Sequence, residues 1–196
     1  MDRPKQLRKR MKRRDVPDGV RFITFSCHRR LPLLSNPRIA TLLVDTLAAS
    51  VESHGLEVVA WVAMPEHVHL LARPGPTSTL GAALRSIKMS VAKRVIARWR
   101  ELDAVILTRT LVGGRPRFWQ EGGGFDRNVR DEEELSREIC YIHMNPVDRG
   151  LVKTPWEWQW SSVRWWMGKR EGELPCTYPR GRGWETWPGF VRNQIP

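Results

Sequence analysis

The chain has 196 residues, 41% hydrophobic and 28% charged, a globular balance that argues against global disorder. Its longest apolar run, Val58 to Met64, is far short of the about 20 residues a membrane-spanning helix needs, and the first fourteen residues are basic where a secretory signal peptide is apolar. With 33 Lys and Arg against 21 Asp and Glu the net charge is +12, and 26 of the cations are arginines, whose planar fork suits phosphate. The excess favours a nucleic-acid partner, although a GC-rich genome also enriches arginine codons.

Residues 1–19 read as a basic N-terminal arm. Met1 to Arg14 holds eight cations against Asp2, a self-repelling block expected to stay disordered until it meets a polyanion. Residues 20–152 read as the main domain. Val20 to Ser26 alternates apolar and polar side chains, which predicts a strand. Asn36-Pro37 opens a helix with the stripe Ile39, Leu42, Leu43, Thr46, Leu47 and Ser50, and Gly55 follows its end. Leu56 to Met64 predicts a buried strand, Pro65-Glu66 a turn, and His67 to Ala72 an antiparallel partner.

From about Leu80 to Arg100 runs a long helix with the stripe Leu80, Leu84, Ile87, Val91 and Val95; Arg85, Lys93 and Arg100 share its opposite face. Residues 103–116 are ambiguous, with Gly113-Gly114 marking a turn, and Arg117 to Glu121 is expected as a short final strand. Asp131 caps a last helix with Glu134 three residues on, Leu135, Ile139 and Ile142 point inward, and Asn145-Pro146 is expected to stop it. The order β-α-β-β-α-β-α predicts an α+β fold, a ferredoxin-like (RRM-like) antiparallel sheet with helices on one face. Residues 153–196 form a Trp/Pro-rich tail. It reads as packed on the core, its tryptophans burying apolar area, with a stacking surface for bases as the alternative. Cys27, Cys140 and Cys176 include no C-x-x-C pair, which suits a reducing, cytoplasmic setting.

Two positions carry chemistry. His67 and His69 stand i, i+2 on a strand, so both imidazoles share a face and can share one divalent metal; two polar residues on a sheet face is the plainer alternative. Tyr141 lies about 240° around its helix from Leu135, off the apolar stripe, with Asn145 one turn on. It can equally be a surface hydroxyl.

Three segments in order are more specific: Met64-Pro-Glu-His-Val-His69-Leu, Arg117-Phe-Trp-Gln-Glu121, and Tyr141-Ile-His-Met-Asn145-Pro-Val-Asp-Arg-Gly150-Leu-Val. Together they resemble the single-tyrosine HUH transposases, in particular the REP-associated tyrosine transposase group related to insertion-sequence transposases. The resemblance runs from about Val20 to Val163 and includes Trp160-Ser161-Ser162. It implies an HUH endonuclease fold, His67 and His69 as metal ligands for Mg²⁺ or Mn²⁺, Tyr141 as nucleophile and Asn145 as a further ligand, where insertion-sequence relatives often carry glutamine.

Many relatives have asparagine where Glu66 stands, and strand alternation points Glu66 away from the histidines, outside the site. The resemblance further implies cleavage and rejoining of single-stranded DNA with hairpins or palindromic repeats, through a 5′-phosphotyrosine, by a monomer or homodimer at the nucleoid. The phenol of a free tyrosine titrates near 10, so a metal on the phosphate would supply the missing activation. Arg8, Lys9, Arg10, Lys12, Arg13 and Arg14 of the arm, with Arg85, Lys93 and Arg100, are the candidate phosphate contacts. A noncatalytic nucleic-acid-binding module and another HUH nuclease, such as a replication initiator, are the alternatives.

Overall fold

A computed structural model of the protein describes residues 19–76, 78–122, 124–170 and 174–179. Strand β1 (Arg21–Ser26) leads through two short 3-10 turns to helix α1 (Pro37–His54). The Asn36 side chain accepts the Arg38 N–H at the start of α1, and Gly55 closes its end at φ 61°, a left-handed cap that glycine adopts without strain. Strand β2 (Glu57–Ala63) and strand β3 (His67–Arg73) follow, joined by the Pro65-Glu66 turn. Helix α2 (Leu80–Glu101) begins at Thr79, whose side chain accepts the Ala82 N–H.

After α2 the chain forms the short helix α3 (Ile106–Thr110) and a hairpin of β4 (Leu111–Val112) and β5 (Arg115–Pro116). Gly113 and Gly114 both have positive φ, as a tight two-residue hairpin turn requires. Then come β6 (Phe125–Asn128), helix α4 (Glu132–Asp148) and the short helix α5 (Val163–Trp166). The main sheet has the order β2-β3-β1-β6, and every pairing in it is antiparallel. This is the ferredoxin-like plan. No helix among the described residues is long and apolar enough to cross a membrane.

The helices divide between the two faces, which departs from the expectation of a single helical layer. Ile23, Phe25, Val68 and Leu70 pack with α1 and α2, through Leu43, Leu47, Ile87 and Val91. The alternate residues Phe22, Ala60, Val62 and Leu71 pack instead with Leu135, Ile139 and Ile142 of α4. Strand β3 is buried along its whole length because both faces are covered. Arg127 of β6 braces α4 from the sheet side by donating to both Glu134 and Glu138.

Two boundaries also differ from the sequence expectation. Arg117 to Glu121 is no regular strand; Phe118 and Trp119 are both buried, so the segment does not alternate, and its pairing beside the end of β1 is an isolated Cys27–Trp119 bridge, with Trp119 also packed on Phe25. The ladder proper is β6, where Gly124 approaches β1 so closely that an added Cβ would lie 2.0 Å from the Thr24 carbonyl oxygen. Helix α4 does not stop at Asn145 but contains Pro146 and runs on to Asp148. A proline near the end removes a single intrahelical bond. The helix then ends as a Schellman motif: Gly150 N–H donates to the Val147 carbonyl at 2.8 Å and Leu151 N–H to the Pro146 carbonyl at 2.9 Å.

Part of the Trp-rich segment runs along β2. Trp158 Nε1 donates to the Ala63 carbonyl and Trp166 Nε1 to the Val59 carbonyl, each at 3.0 Å. The Ala63 N–H donates in turn to the Trp160 carbonyl at 2.8 Å, so the outer edge of β2 is covered.

Candidate active site

The alternation of β3 sets the first part of the site. His67, His69 and Leu71 project from the α4 face, and their register partners on β1 are Ser26, Thr24 and Phe22. The two imidazoles meet Nε2 to Nε2 at 2.9 Å. Their outer nitrogens are both engaged: His67 Nδ1 donates to Glu66 Oε1 at 3.1 Å, and His69 Nδ1 contacts Thr24 Oγ1 at 2.7 Å. Because a carboxylate only accepts, Glu66 keeps the His67 proton on Nδ1 and leaves Nε2 a lone pair.

Electrostatics favour neutral rings. Burial pulls the His69 pKa down to about 3, with the neighbouring His67 adding to the effect. Burial also lowers His67, and the opposing pull of Glu66 does not overcome it. The Glu66 carboxyl moves below its usual range: burial alone would raise it, but the hydrogen bond and charge of Arg149, helped by the Arg30 hydrogen bond, prevail.

Helix α4 brings the second part. Tyr141 is 45% exposed, and its hydroxyl stands 3.5 Å from His69 Nε2. The Tyr141 ring contacts His69 and Phe22, with centroids 5.2 and 5.9 Å apart. Asn145, one turn further along α4, is buried, and its Oδ1 has no hydrogen-bond partner among the described residues. An orphaned buried amide oxygen is costly, so it suits a position waiting for a ligand.

Among the described residues no three His, Cys, Asp or Glu side chains gather into a metal cluster. What the site offers is two imidazole nitrogens close enough to share one ion, with the Asn145 amide oxygen one helical turn beyond Tyr141. That donor set fits a divalent cation completed by water or phosphate oxygens, as Mg²⁺ and Mn²⁺ usually are.

Sequence reasoning missed Glu66. It lies in the turn before β3, where strand alternation does not apply, and it is buried with Oε1 accepting from His67, from Arg30 at 3.2 Å and from Arg149 at 3.0 Å. Arg30 reaches it from a strained turn in which Arg29 and Arg30 have φ of 52° and 53°. The available signal was an acidic residue immediately before the first histidine. Thr24 was missed too, and only strand register could have found it.

The other candidate contacts lie apart from this centre. Arg85, Lys93 and Arg100 are exposed on α2, in the helical layer on the far side of the sheet. Arg8, Lys9, Arg10, Lys12, Arg13 and Arg14 fall outside the described residues. Tyr178 packs on Trp165 and Trp166, with centroids 4.9 and 5.3 Å away, and its hydroxyl accepts from Arg170 at 2.5 Å.

A ferredoxin-like antiparallel sheet with a histidine pair on one strand and a tyrosine on a helix packed over it defines the class of single-tyrosine HUH proteins. Residues 20–135 match the family model described as Transposase IS200 like, and the chain belongs to that family. It is similar to the REP-associated tyrosine transposase of Escherichia coli K12, 26% identical over 150 residues that make up 75% of this chain and 78% of that protein.

A Haemophilus influenzae protein named for the same group is 26% identical over 113 residues, 57% of this chain and 61% of that relative, so the match spans about three fifths of its length. Among solved structures the chain is similar to a REP-associated tyrosine transposase bound to a REP hairpin. That likeness has a TM-score of 0.63 and 20% identity over 89% of this chain and 98% of the other. It concerns the fold.

Proposed function

We propose that this protein cuts and rejoins single-stranded DNA carrying a hairpin or palindromic repeat, through a covalent bond to Tyr141. One observation carries the reading: the Tyr141 hydroxyl stands 3.5 Å from His69 Nε2, itself 2.9 Å from His67 Nε2. A nucleophile and a metal-binding pair on different elements of a fold seldom meet this way without a use. The E. coli relative is named a REP-associated tyrosine transposase, and the structural neighbour was solved with a REP hairpin. Both support a DNA hairpin as substrate. In this reading the protein meets it in the cytoplasm, at the nucleoid.

In this reading His67, His69 and Asn145 hold Mg²⁺ or Mn²⁺, which when bound supplies charge stabilisation at the scissile phosphate. Tyr141 Oη attacks phosphorus, forming the O–P bond to the 5′ side as the bond to the 3′ oxygen breaks. The phenolic proton leaves to water, which reaches the half-exposed ring, and the departing 3′ oxygen takes up a proton to become a free 3′-OH. Rejoining is the reverse step and needs no external energy source, because the phosphotyrosine conserves the phosphodiester. Glu66 and Thr24 hold the imidazoles from behind. The basic arm and Arg85, Lys93 and Arg100 would contact phosphates away from the cut.

The test is a hairpin oligonucleotide labelled 3′ of its cleavage point, incubated with Mg²⁺ or Mn²⁺. Wild-type protein should acquire an SDS-stable label and release a 5′ fragment with a free 3′-OH. Tyr141→Phe should bind but acquire none, and Tyr178→Phe should still acquire it. DNA binding with no adduct from any palindromic strand would favour the noncatalytic binding module.

A further inference from the structure

We propose that Phe125 is a stacking platform for an unpaired base of the strand presented to Tyr141, a subsite on the open edge of the sheet. The inference rests on the reading of Tyr141 as a nucleophile toward single-stranded DNA. Among the described residues strand β6 is the outer strand of the sheet, paired with β1, and Phe125 stands in register with Thr24. Cross-strand partners share a face, so the phenyl ring projects on the same side as His69, which Thr24 holds, and Tyr141.

The ring is 47% exposed. One exposed apolar side chain is ordinary and means little by itself. Here the surroundings give it meaning. Phe22, buried beneath, joins the aromatic groups into one surface: its centroid lies 6.1 Å from Phe125, 5.9 Å from Tyr141 and 5.5 Å from His69. Two half-exposed rings, Phe125 and Tyr141, therefore flank one buried ring.

The backbone holds Phe125 there at a cost in sequence freedom. Gly124 has φ 74°, and any Cβ at that position would collide with the Thr24 carbonyl oxygen at 2.0 Å, so only glycine lets the chain come this close before Phe125. Two residues on, Arg127 sits over Phe22 at 5.5 Å while bound to Glu134 and Glu138, so the floor of the platform is braced against α4.

An unpaired nucleobase is the occupant these features fit. Every base has a π face, so stacking on phenylalanine tolerates sequence, and a base next to the reacting phosphate would be gripped beside the nucleophile. The chain's net charge of +12 favours a polyanionic partner over an apolar peptide.

The test uses the full chain as Tyr141→Phe, so that no cleavage intervenes, and hairpin oligonucleotides with 2-aminopurine at each position flanking the cleavage point. Stacking should quench one position. Adding Phe125→Ala should abolish that quench and raise Kd about tenfold. Phe125→Trp should restore both, whereas Phe125→Leu, apolar but without a π face, should not. Unchanged quench and Kd in a folded Phe125→Ala protein would overturn the platform.

A second measurement does not depend on the variants folding. Photolysis of 5-iodouracil oligonucleotides on the Tyr141→Phe protein should cross-link Phe125, located by mass spectrometry. No cross-link to Phe125 from any flanking position would overturn the inference. Failure of the underlying reading is separate: wild type would then form no adduct at Tyr141, whatever stands at position 125.

Discussion

Tyr141 Oη and His69 Nε2 stand 3.5 Å apart although 72 residues separate them in the chain. Neither element alone arranges this. The β1–β3 register aims His69 at α4, and Arg127 fastens the first turns of α4 to the outer strand through Glu134 and Glu138. Leu135, Ile139 and Ile142, buried against the sheet, fix the rotation of the helix so that Tyr141 faces along the sheet toward the histidines.

Glu66 and Thr24 are predicted to set metal affinity without touching the metal. Glu66→Ala frees His67 to change tautomer, and Thr24→Val removes the oxygen that orients His69. Each should weaken Mn²⁺ binding about 10-fold or more, as measured by titration calorimetry on the DNA-free protein. His67→Ala and His69→Ala should weaken it further and abolish adduct formation while DNA binding remains. Full affinity in both Glu66→Ala and Thr24→Val would remove the supporting role.

Arg127→Met should lower stability by about 2–3 kcal/mol, because the buried Glu134 carboxylate loses one of its charged partners. It still accepts from the Arg130 N–H at 2.7 Å, so the helix start survives. Urea unfolding measures the loss. Adduct formation should fall by more than the stability change explains, since α4 is then less tightly held over the histidines.

Acid should destabilise the fold in two windows. His143 is fully buried, its Nε2 is 2.8 Å from Ser162 Oγ, and burial lowers its pKa to about 3. Between about 6.5 and 3 the unfolded chain therefore binds a proton that the folded chain refuses, and stability falls with pH by up to about 1.4 kcal/mol per unit. His69, also at about 3, adds in the same direction. Glu134 is held down to about 2, chiefly by the Arg130 backbone N–H against the opposing effect of burial, with further help from the Arg130 and Arg127 side chains. Its contribution is complete above its unfolded value of about 4.3 and is lost as pH falls toward 2. Unfolding curves from pH 7 to about 2 should show His143→Asn flattening the upper window and Glu134→Gln the lower one.

Deleting residues 1–14 removes eight cations and one aspartate. If the arm contacts phosphates, hairpin binding should weaken and the slope of log K against log salt should become shallower by close to one unit per lost contact. Mn²⁺ affinity should not move. An identical slope would mean that the arm does not touch DNA.

The local elements were legible in the sequence because their causes are local. Caps at Asn36 and Asp131, the stripes of α1 and α2, and the parity of His67 and His69 each depend on residues within a turn or two. The motif order around His67, His69 and Tyr141 also pointed to the family. Which face α4 would take was not legible, since an apolar stripe says that a helix buries one side but not against which side of a sheet. One trace of it was present: Val58 to Met64 is apolar at every position, as a strand covered on both faces must be. The fourth strand escaped because Phe125–Asn128 has no alternating pattern, and its place depends on Gly124 meeting the Thr24 carbonyl. Glu66 escaped because strand alternation does not hold in the turn where it lies, and because Arg30 and Arg149 reach it only through folding. Sequence periodicity determined which side chains each element offers; only packing on both faces of the sheet decided that Tyr141, Glu66 and Thr24 meet around one pair of histidines.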